Sequence, residues 1–581
     1  MRFLNVGKQD KKIILASSLL FYLFFFFLDG VSIAADSASY INMSISREPV
    51  YPLFLAFLHI LSGESFYLNA AVLIQCILAA FAAYWTTTQI QRLFDLNRIF
   101  TAGILAIQFG VTLLNRFVAL RSISYQNSIQ TEGIAISLYT IWAVFLIRYV
   151  CERRKRDLIP IFGIAILLIC TRKQMLMMLP VIVIVLFCMH CLPKIHLKKL
   201  FIILLSAVLA FGATVMISKV YNLVYRGSFV GYTDSSNTFF TNMLYAADAE
   251  DKDLIQDQDL RILYEEIYRT LNNEKLNYKY APEGLLNLET HYSECYDLIA
   301  ITTVQPMIKE YIRETGIEDD TRVSMEADKI RTTIMKDVFL SNIPQMGRVY
   351  FASVVHGMIL TIAKQHPLLN LYALACYLMY LAMIVWITVK KGLTNTVKVS
   401  LMTGLMVIVN VTLTAAVIFC QTRYMIYNMA LCYIMAILLV KEVYDLVPDY
   451  IIQFIKFGLV GVFNTLFSYL IYFVAIKMGL HYQLGNFLAY LITVFVTFLM
   501  NGYWVFQKMN DAKREFWKPL IKVYASYGFT SLFLNSILLF VQIDLLGMWQ
   551  ETAPIFNLII TIPLNFLLNK YWAFSDAKEK N

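Results

Sequence analysis

Charge is what this sequence has least of. Asp, Glu, Lys and Arg make up 15% of its 581 residues, against 59% for the hydrophobic types. Soluble domains are about 25% charged and roughly 45–50% apolar, so a chain that is soluble throughout is excluded. Disulfides are also excluded where they would count: of nine cysteines, only Cys295 falls in the long polar stretch at about 221–345, so the compartment has to be argued from charge. Cys188, His190, Cys191 and His196 are crowded together without the longer loop that separates the ligand pairs of a usual zinc site. The first apolar run lacks a small-x-small site at its end and reads as an anchor, not a cleaved signal.

What is present is apolar runs long enough to cross a hydrocarbon core of about 30 Å, and in lipid such runs satisfy their backbone as helices. The expected fold is an all-α polytopic membrane protein with about fourteen spans. They are placed at 13–30, 67–88, 98–114, 131–148, 157–171, 174–190, 200–220, 368–389, 399–420, 424–440, 456–476, 483–503, 519–541 and 551–569. An alternative eighth span, 346–363, is read as an interfacial helix, because Lys364, His366 and Pro367 separate it from the purely apolar later run.

Lys8, Lys11 and Lys12 precede the first span, and Arg153, Arg154, Lys155 and Arg156 follow the fourth. Lys194, Lys198 and Lys199 follow the sixth, Lys390, Lys391 and Lys398 the eighth, and Lys508, Lys513, Arg514, Lys518 and Lys522 the twelfth. All fall on one side if both termini are cytoplasmic in the cell membrane, as the positive-inside bias requires. Residues 248–337 hold 21 of the 40 acids and only 11 of the 49 bases. With helical apolar spacing over Leu260–Leu271, this segment is expected to be a small helical extracytoplasmic domain, and a spacer without function is the plainer reading.

Polar residues follow the first span. Asp36-Ser-Ala-Ser-Tyr40 leads to Arg47-Glu-Pro-Val-Tyr51-Pro52-Leu-Phe-Leu-Ala. Asp36 and Tyr40 share a helix face, and Pro49 and Pro52 end one segment and start an interface-lying helix. An acid at this depth can act as a general base towards a hydroxyl or as a metal ligand, although an ordinary polar loop also contains aspartates.

This order resembles the first outer loop of the GT-C polyprenyl-phosphate-sugar glycosyltransferases, the class of the protein O-mannosyltransferases and aminoarabinose transferases. The resemblance covers residues 1–445 as architecture, with the insert at about 221–345, and about thirty residues as motif. It implies that Asp36 lies at the active site, with Tyr40, Arg47 and Tyr51 shaping it. Many relatives carry a second acid after the aspartate. Ser37 stands there here, so a divalent metal ion is a possible cofactor, not a required one. Arg116, Arg121, Glu132, Arg172, Lys173 and Arg423 fall at span ends on the same face and suit an anionic lipid donor, since guanidinium binds phosphate oxygens as a fork. Any one of them alone is more simply a snorkelling side chain.

Beyond Tyr450 an internal repeat appears. Asn501-Gly-Tyr-Trp504-Val-Phe506 recurs as Asn569-Lys570-Tyr571-Trp572-Ala-Phe574, and Gly461 corresponds to Gly528. Each unit is expected to be a helical hairpin of about 67 residues ending in interfacial Trp and Tyr. Asn464, Asn486, Asn501, Asn535, Asn557, Asn565 and Asn569 are expensive in lipid unless they bond across helices or line a polar path. Four spans ending in this motif closely resemble the GtrA-like family, over 450–576. That resemblance implies handling of polyprenyl-phosphate-linked sugars, with Lys456, Asn464, Asn501, Trp504, Asn569, Lys570 and Trp572 along the path. A basic residue is usual where Gly502 stands.

Together the two resemblances imply an enzyme that transfers a sugar on the outer face from a polyprenyl-phosphate donor to a surface glycan, glycolipid or protein. Its own C-terminal domain would flip or deliver the donor, and a cytoplasmic-side glycosyltransferase would supply it. Membrane lipids are the other expected partners, and no nucleic acid is. The alternatives are a non-catalytic transporter or flippase accessory for polysaccharide export, and a structural scaffold.

Overall fold

A computed structural model of the chain describes residues 7–118, 123–192, 196–231, 235–507, 509, 516–534, 537–538, 540–545 and 553–575. The regular structure among the described residues is helical apart from one isolated bridge, Ser32 with Ser128. Internal contacts divide the chain into two units, residues 1–442 and 443–581.

Among the described residues, eleven helices are long and apolar enough to cross a membrane. Three of the expected spans are not among them. The run at 157–171 forms a helix of only 12 residues, Leu158–Ile169, about 18 Å long, because the chain turns at Cys170–Arg172 and re-enters through a short 3-10 turn, Lys173–Met177. The run at 519–541 breaks from α-helix into a π turn at Phe529–Leu534, and its end lies partly outside the described residues. The run at 551–569 is a 16-residue helix, Ala553–Leu568. The polytopic all-helical fold stands with these differences.

In the first unit, α1 (Lys8–Asp29), α2 (Ser37–Ile41), α3 (Val50–Ser62), α4 (Tyr67–Phe94) and α5 (Arg98–Val118) precede α6 (Glu132–Glu152). After α7 (Leu158–Ile169) come α8 (Met178–His190) and α9 (Leu197–Arg226). The membrane part closes with α15 (Pro367–Lys391), α16 (Asn395–Val417) and α17 (Thr422–Tyr444). The most apolar window of α6 is 72% buried against 11% for α15. One helix is therefore the centre of the bundle and the other turns a Leu- and Met-rich face outward, as a lipid-facing helix must. Trp142, Tyr139 and Ala143 of α6 pack with Ile161, Met406 and Ile434 in the largest apolar cluster.

The acidic insert is a helical domain with its own core, built from α10 (Ser235–Tyr245), α11 (Gln258–Asn273), α12 (Leu285–Asp297), α13 (Gln305–Glu314) and α14 (Asp320–Ile362). On α11, Leu260, Leu263, Tyr264, Ile267 and Leu271 are buried, one face of a helix. Its N-cap Asp257 accepts from the amides of Asp259 and Leu260 at 2.9 and 3.1 Å. The stretch 346–363 is not a separate interfacial helix. It is the last part of α14, whose 43 residues span about 65 Å, with Met346, Val349 and Ala352 still in the insert core and Leu360 packed among the membrane helices.

The second unit contains α18 (Asp449–Lys477), α19 (Tyr482–Met500), α20 (Trp517–Gly528) and α21 (Ala553–Leu568). Both α19 and α21 run on into a π turn, Asn501–Val505 and Asn569–Ala573. Phe457, Phe498, Phe506, Phe566 and Phe574 form the core.

Candidate functional site

The loop carrying Asp36 is fixed before any charge is considered. After α1, Ser32 donates its amide to the Asn127 carbonyl at 2.8 Å and accepts from the Ile129 amide at 2.9 Å. Ser37, fully buried, donates its hydroxyl to the Ile129 carbonyl at 2.8 Å and accepts the Ala34 amide at 2.8 Å. The residue that replaces an expected second acid is thus a staple that seats Asp36 at the start of α2.

Asp36 then draws in two arginines from opposite ends of the unit. Arg47 Nη2 meets Oδ1 at 2.8 Å, and Arg423 Nη2 meets Oδ2 at 2.8 Å. Arg423 also bonds through Nε to Glu132 Oε1, which Arg172 reaches at 2.5 Å. Thr131 donates its hydroxyl to Glu132 Oε2 at 3.1 Å. Glu132 is fully buried. Three guanidiniums therefore face two carboxylates where the end of α7 and the starts of α2, α6 and α17 meet. Burial acts to raise the pKa of Asp36, but Arg423 and Arg47 outweigh it and hold the carboxyl below its usual range.

Aromatic rings wall the cluster. Arg47 lies over the Tyr40 ring at 4.6 Å and bonds Ser39 Oγ at 2.7 Å. Tyr40 meets Tyr51 edge-on at 5.3 Å. Tyr51, fully buried, donates its hydroxyl to Gln75 Oε1 at 2.8 Å, and Gln75 Nε2 donates to the Gln126 carbonyl at 2.8 Å. Gly133 is required there, because a Cβ would sit 2.4 Å from Gln75 Cδ. Arg172 lies 5.0 Å over the Tyr424 ring.

Of the residues expected from sequence, Asp36, Tyr40, Arg47, Tyr51, Glu132, Arg172 and Arg423 converge. Lys173 points instead to the buried Glu48 at 2.8 Å, whose other oxygen accepts from Ser218 at 2.9 Å. Arg116 is not part of the cluster: it pairs with the buried carboxylate of Asp29 at 2.5 Å and covers the Phe25 ring. Arg121 lies outside the described residues. Among the described residues, no three His, Cys, Asp or Glu side chains gather as a metal ion would require. Sequence reasoning missed Gln75, and also Gln174, which donates to Asn410 Oδ1 at 3.0 Å and to the Tyr424 carbonyl at 2.9 Å and so fixes the start of α17. It also missed Asp297, at the end of α12, which acts electrostatically with Asp36 and Arg423.

In the second unit the repeat is carried into three dimensions. Phe506 and Phe574 meet at 5.3 Å, flanked by the equivalent pairs Phe498–Phe574 at 5.8 Å and Phe506–Phe566 at 5.9 Å. The amides of Phe506 and Phe574 each donate to the carbonyl of Asn501 or Asn569 at 2.8 Å, and both asparagines are fully buried. Lys456 lies 5.8 Å from the Trp504 ring, and Lys522 lies 5.8 Å from that of Trp572. The base equivalent to Lys456 is thus Lys522. Lys570 rests on Phe566 and Tyr571 at 5.5 and 5.4 Å. At Gly502 a Cβ would lie 2.6 Å from Met509 Cγ and 3.1 Å from Phe574 Cε1. Asn464 lies on α18, eight residues from Lys456, or about 12 Å along the helix. It is half-buried, and its amide oxygen has no hydrogen-bond partner among the described residues. The side chains of Asn486 and Asn535 lie outside the described residues.

Comparison with curated proteins and with solved structures finds no match. Residues 456–574 match the family model described as GtrA/DPMS, transmembrane domain, and the C-terminal hairpins are therefore a GtrA/DPMS transmembrane domain.

Proposed function

We propose that the first unit transfers a sugar from a polyprenyl-phosphate donor to a cell-surface acceptor on the outer face, and that the GtrA/DPMS domain hands it the lipid-linked sugar. One observation carries this reading: Arg47, Arg172 and Arg423, far apart in sequence, converge on Asp36 and Glu132. Burying such a group costs stability and gives little back unless it is used, because desolvation offsets the attraction. A guanidinium group suits a phosphate leaving group, whose charge grows as the glycosidic bond breaks. Asp36, with each oxygen on a different arginine, orients the cations. A donor made on the cytoplasmic face needs carriage across about 30 Å of hydrocarbon, and a tethered delivery domain keeps its local concentration high.

The second reading, a non-catalytic accessory for export, is favoured by the full occupancy of the Asp36 oxygens. Asp36→Asn separates the two. A transferase loses about 10²-fold in rate when its orienting groups are misplaced, whereas an accessory exports as before. The outer-face assignment is tested by labelling. Cys295 is buried, so the reporter is an Ile262→Cys variant, at a position 60% exposed on the insert. An impermeant maleimide should reach it in intact cells, and labelling only after permeabilisation would reverse the orientation.

A further inference from the structure

We propose that Asp297 is the proton acceptor for the incoming hydroxyl at this site, with Asp36 acting through the arginines it holds. The inference rests on the transfer reading above and names the group that performs its proton step.

A general base needs a carboxylate that is open to the acceptor and near the reacting centre. Asp36 meets the second condition and not the first, since Arg47 and Arg423 each take one of its oxygens. Asp297 meets both. It is exposed, and its carboxyl makes no hydrogen bond or ion pair among the described residues. Yet it is near enough to Asp36 and Arg423 for both to act on it.

Its position is set by packing. Tyr296 meets Phe419 at a tilt, ring centroids 5.0 Å apart, and Tyr292 meets the same ring edge-on at 6.0 Å. Phe419 lies in the short connection between α16 and α17, four residues before Arg423. The insert thereby grips the segment that leads into Arg423, and Asp297 follows directly on Tyr296, the residue that makes the contact. At Asp297, α12 gives way to a π-helical stretch, Leu298–Val304, a local distortion that often accompanies a functional position.

The charged groups acting on the Asp297 carboxyl are Asp36, from the segment before α2, and Arg423, from α17. Partial desolvation, and then the Asp36 carboxylate, raise its pKa above the usual carboxylate value, while Arg423 draws it back in part. A base of raised pKa accepts a proton more readily.

The step balances. The acceptor oxygen forms the bond to the anomeric carbon as its proton passes to Asp297. The bond from that carbon to the phosphate oxygen breaks, and its electron pair stays on the polyprenyl phosphate beside the guanidiniums. Asp297 then returns its proton to water.

The test uses the purified full-length protein, donor lipid extracted from the cells' own membranes, and envelopes from cells lacking the gene as acceptor. Transfer is followed over a pH series, and donor retained on the protein is measured separately. The wild type should lose rate as the pH falls through the Asp297 ionisation. Asp297→Asn should be slower by about 10²–10⁴-fold, lack that acid limb and retain donor normally. Asp297→Glu should restore the limb and part of the rate. Asp297→Asn at the wild-type rate, or with the acid limb intact, overturns the inference and leaves the transfer reading standing. A wild-type protein that transfers nothing overturns the transfer reading itself, and the inference with it.

Discussion

The two units handle polar groups in lipid in opposite ways. The first interlocks five charges, residues 36, 47, 132, 172 and 423, in one partly buried cluster, each partner holding another, besides separate pairs such as Arg116–Asp29. The second spreads its bases over two equivalent helix-end positions, where Trp504 and Trp572 are 42% and 43% exposed and each carries a lysine above its ring. A single interlocked cluster has no spare part, so removing one member strands the others. A duplicated pair loses half its capacity when one copy is changed.

The sharpest way to break the comparison is at Glu132. In Glu132→Gln, Arg172 and Arg423 lose the carboxylate they share, and breaking one member of a buried ion group costs about 3–5 kcal/mol. The variant should lose transfer and melt well below the wild type in a detergent thermal-shift assay. Unchanged melting would mean that the cluster is not interlocked.

Gly133→Ala comes next. Its methyl group meets Gln75, which Tyr51 and the Gln126 carbonyl hold in place, so overpacking of about 1–3 kcal/mol is expected. Gly502→Ala meets Cγ of Met509, an unbranched side chain that can re-orient, and should cost less. The same thermal-shift assay ranks the two, and the reverse order would mean that Gln75 yields more readily than Met509.

The smallest single effects belong to the lysines. Lys456→Gln and Lys522→Gln should each reduce sugar transfer in cells modestly and equally, and the double variant more, with transfer in detergent unaffected. A severe loss from Lys456→Gln alone would show that the repeat positions are not equivalent.

Much of this was legible from the residues. An apolar run announces its helix, and the polar residues at run ends had to lie at one face, so Asp36, Arg47, Glu132, Arg172 and Arg423 could be grouped without knowing who touches whom. Pairing was not legible. Arg116 looks like its neighbours until Asp29 is found beside it, because a contact across 87 positions leaves no local pattern. Asp297 is one acid among the 21 of residues 248–337, and only the grip of Tyr292 and Tyr296 on Phe419 distinguishes it. Lys522 was hidden because a base at a helix start reads as a topology marker. The shortness of α7 was invisible because the run on either side of Cys170–Lys173 is equally apolar.

The central claim is that the arginine–carboxylate cluster of the first unit transfers sugar to the cell surface. It is tested most directly by mass spectrometry of wall polymers, glycolipids and surface proteins from cells lacking the gene, complemented with the wild type or with Asp36→Asn at equal expression. The account predicts that one hexose or aminosugar is missing without the gene, returns with the wild type and stays missing with Asp36→Asn. Identical glycans in all three, or full restoration by Asp36→Asn, would contradict it.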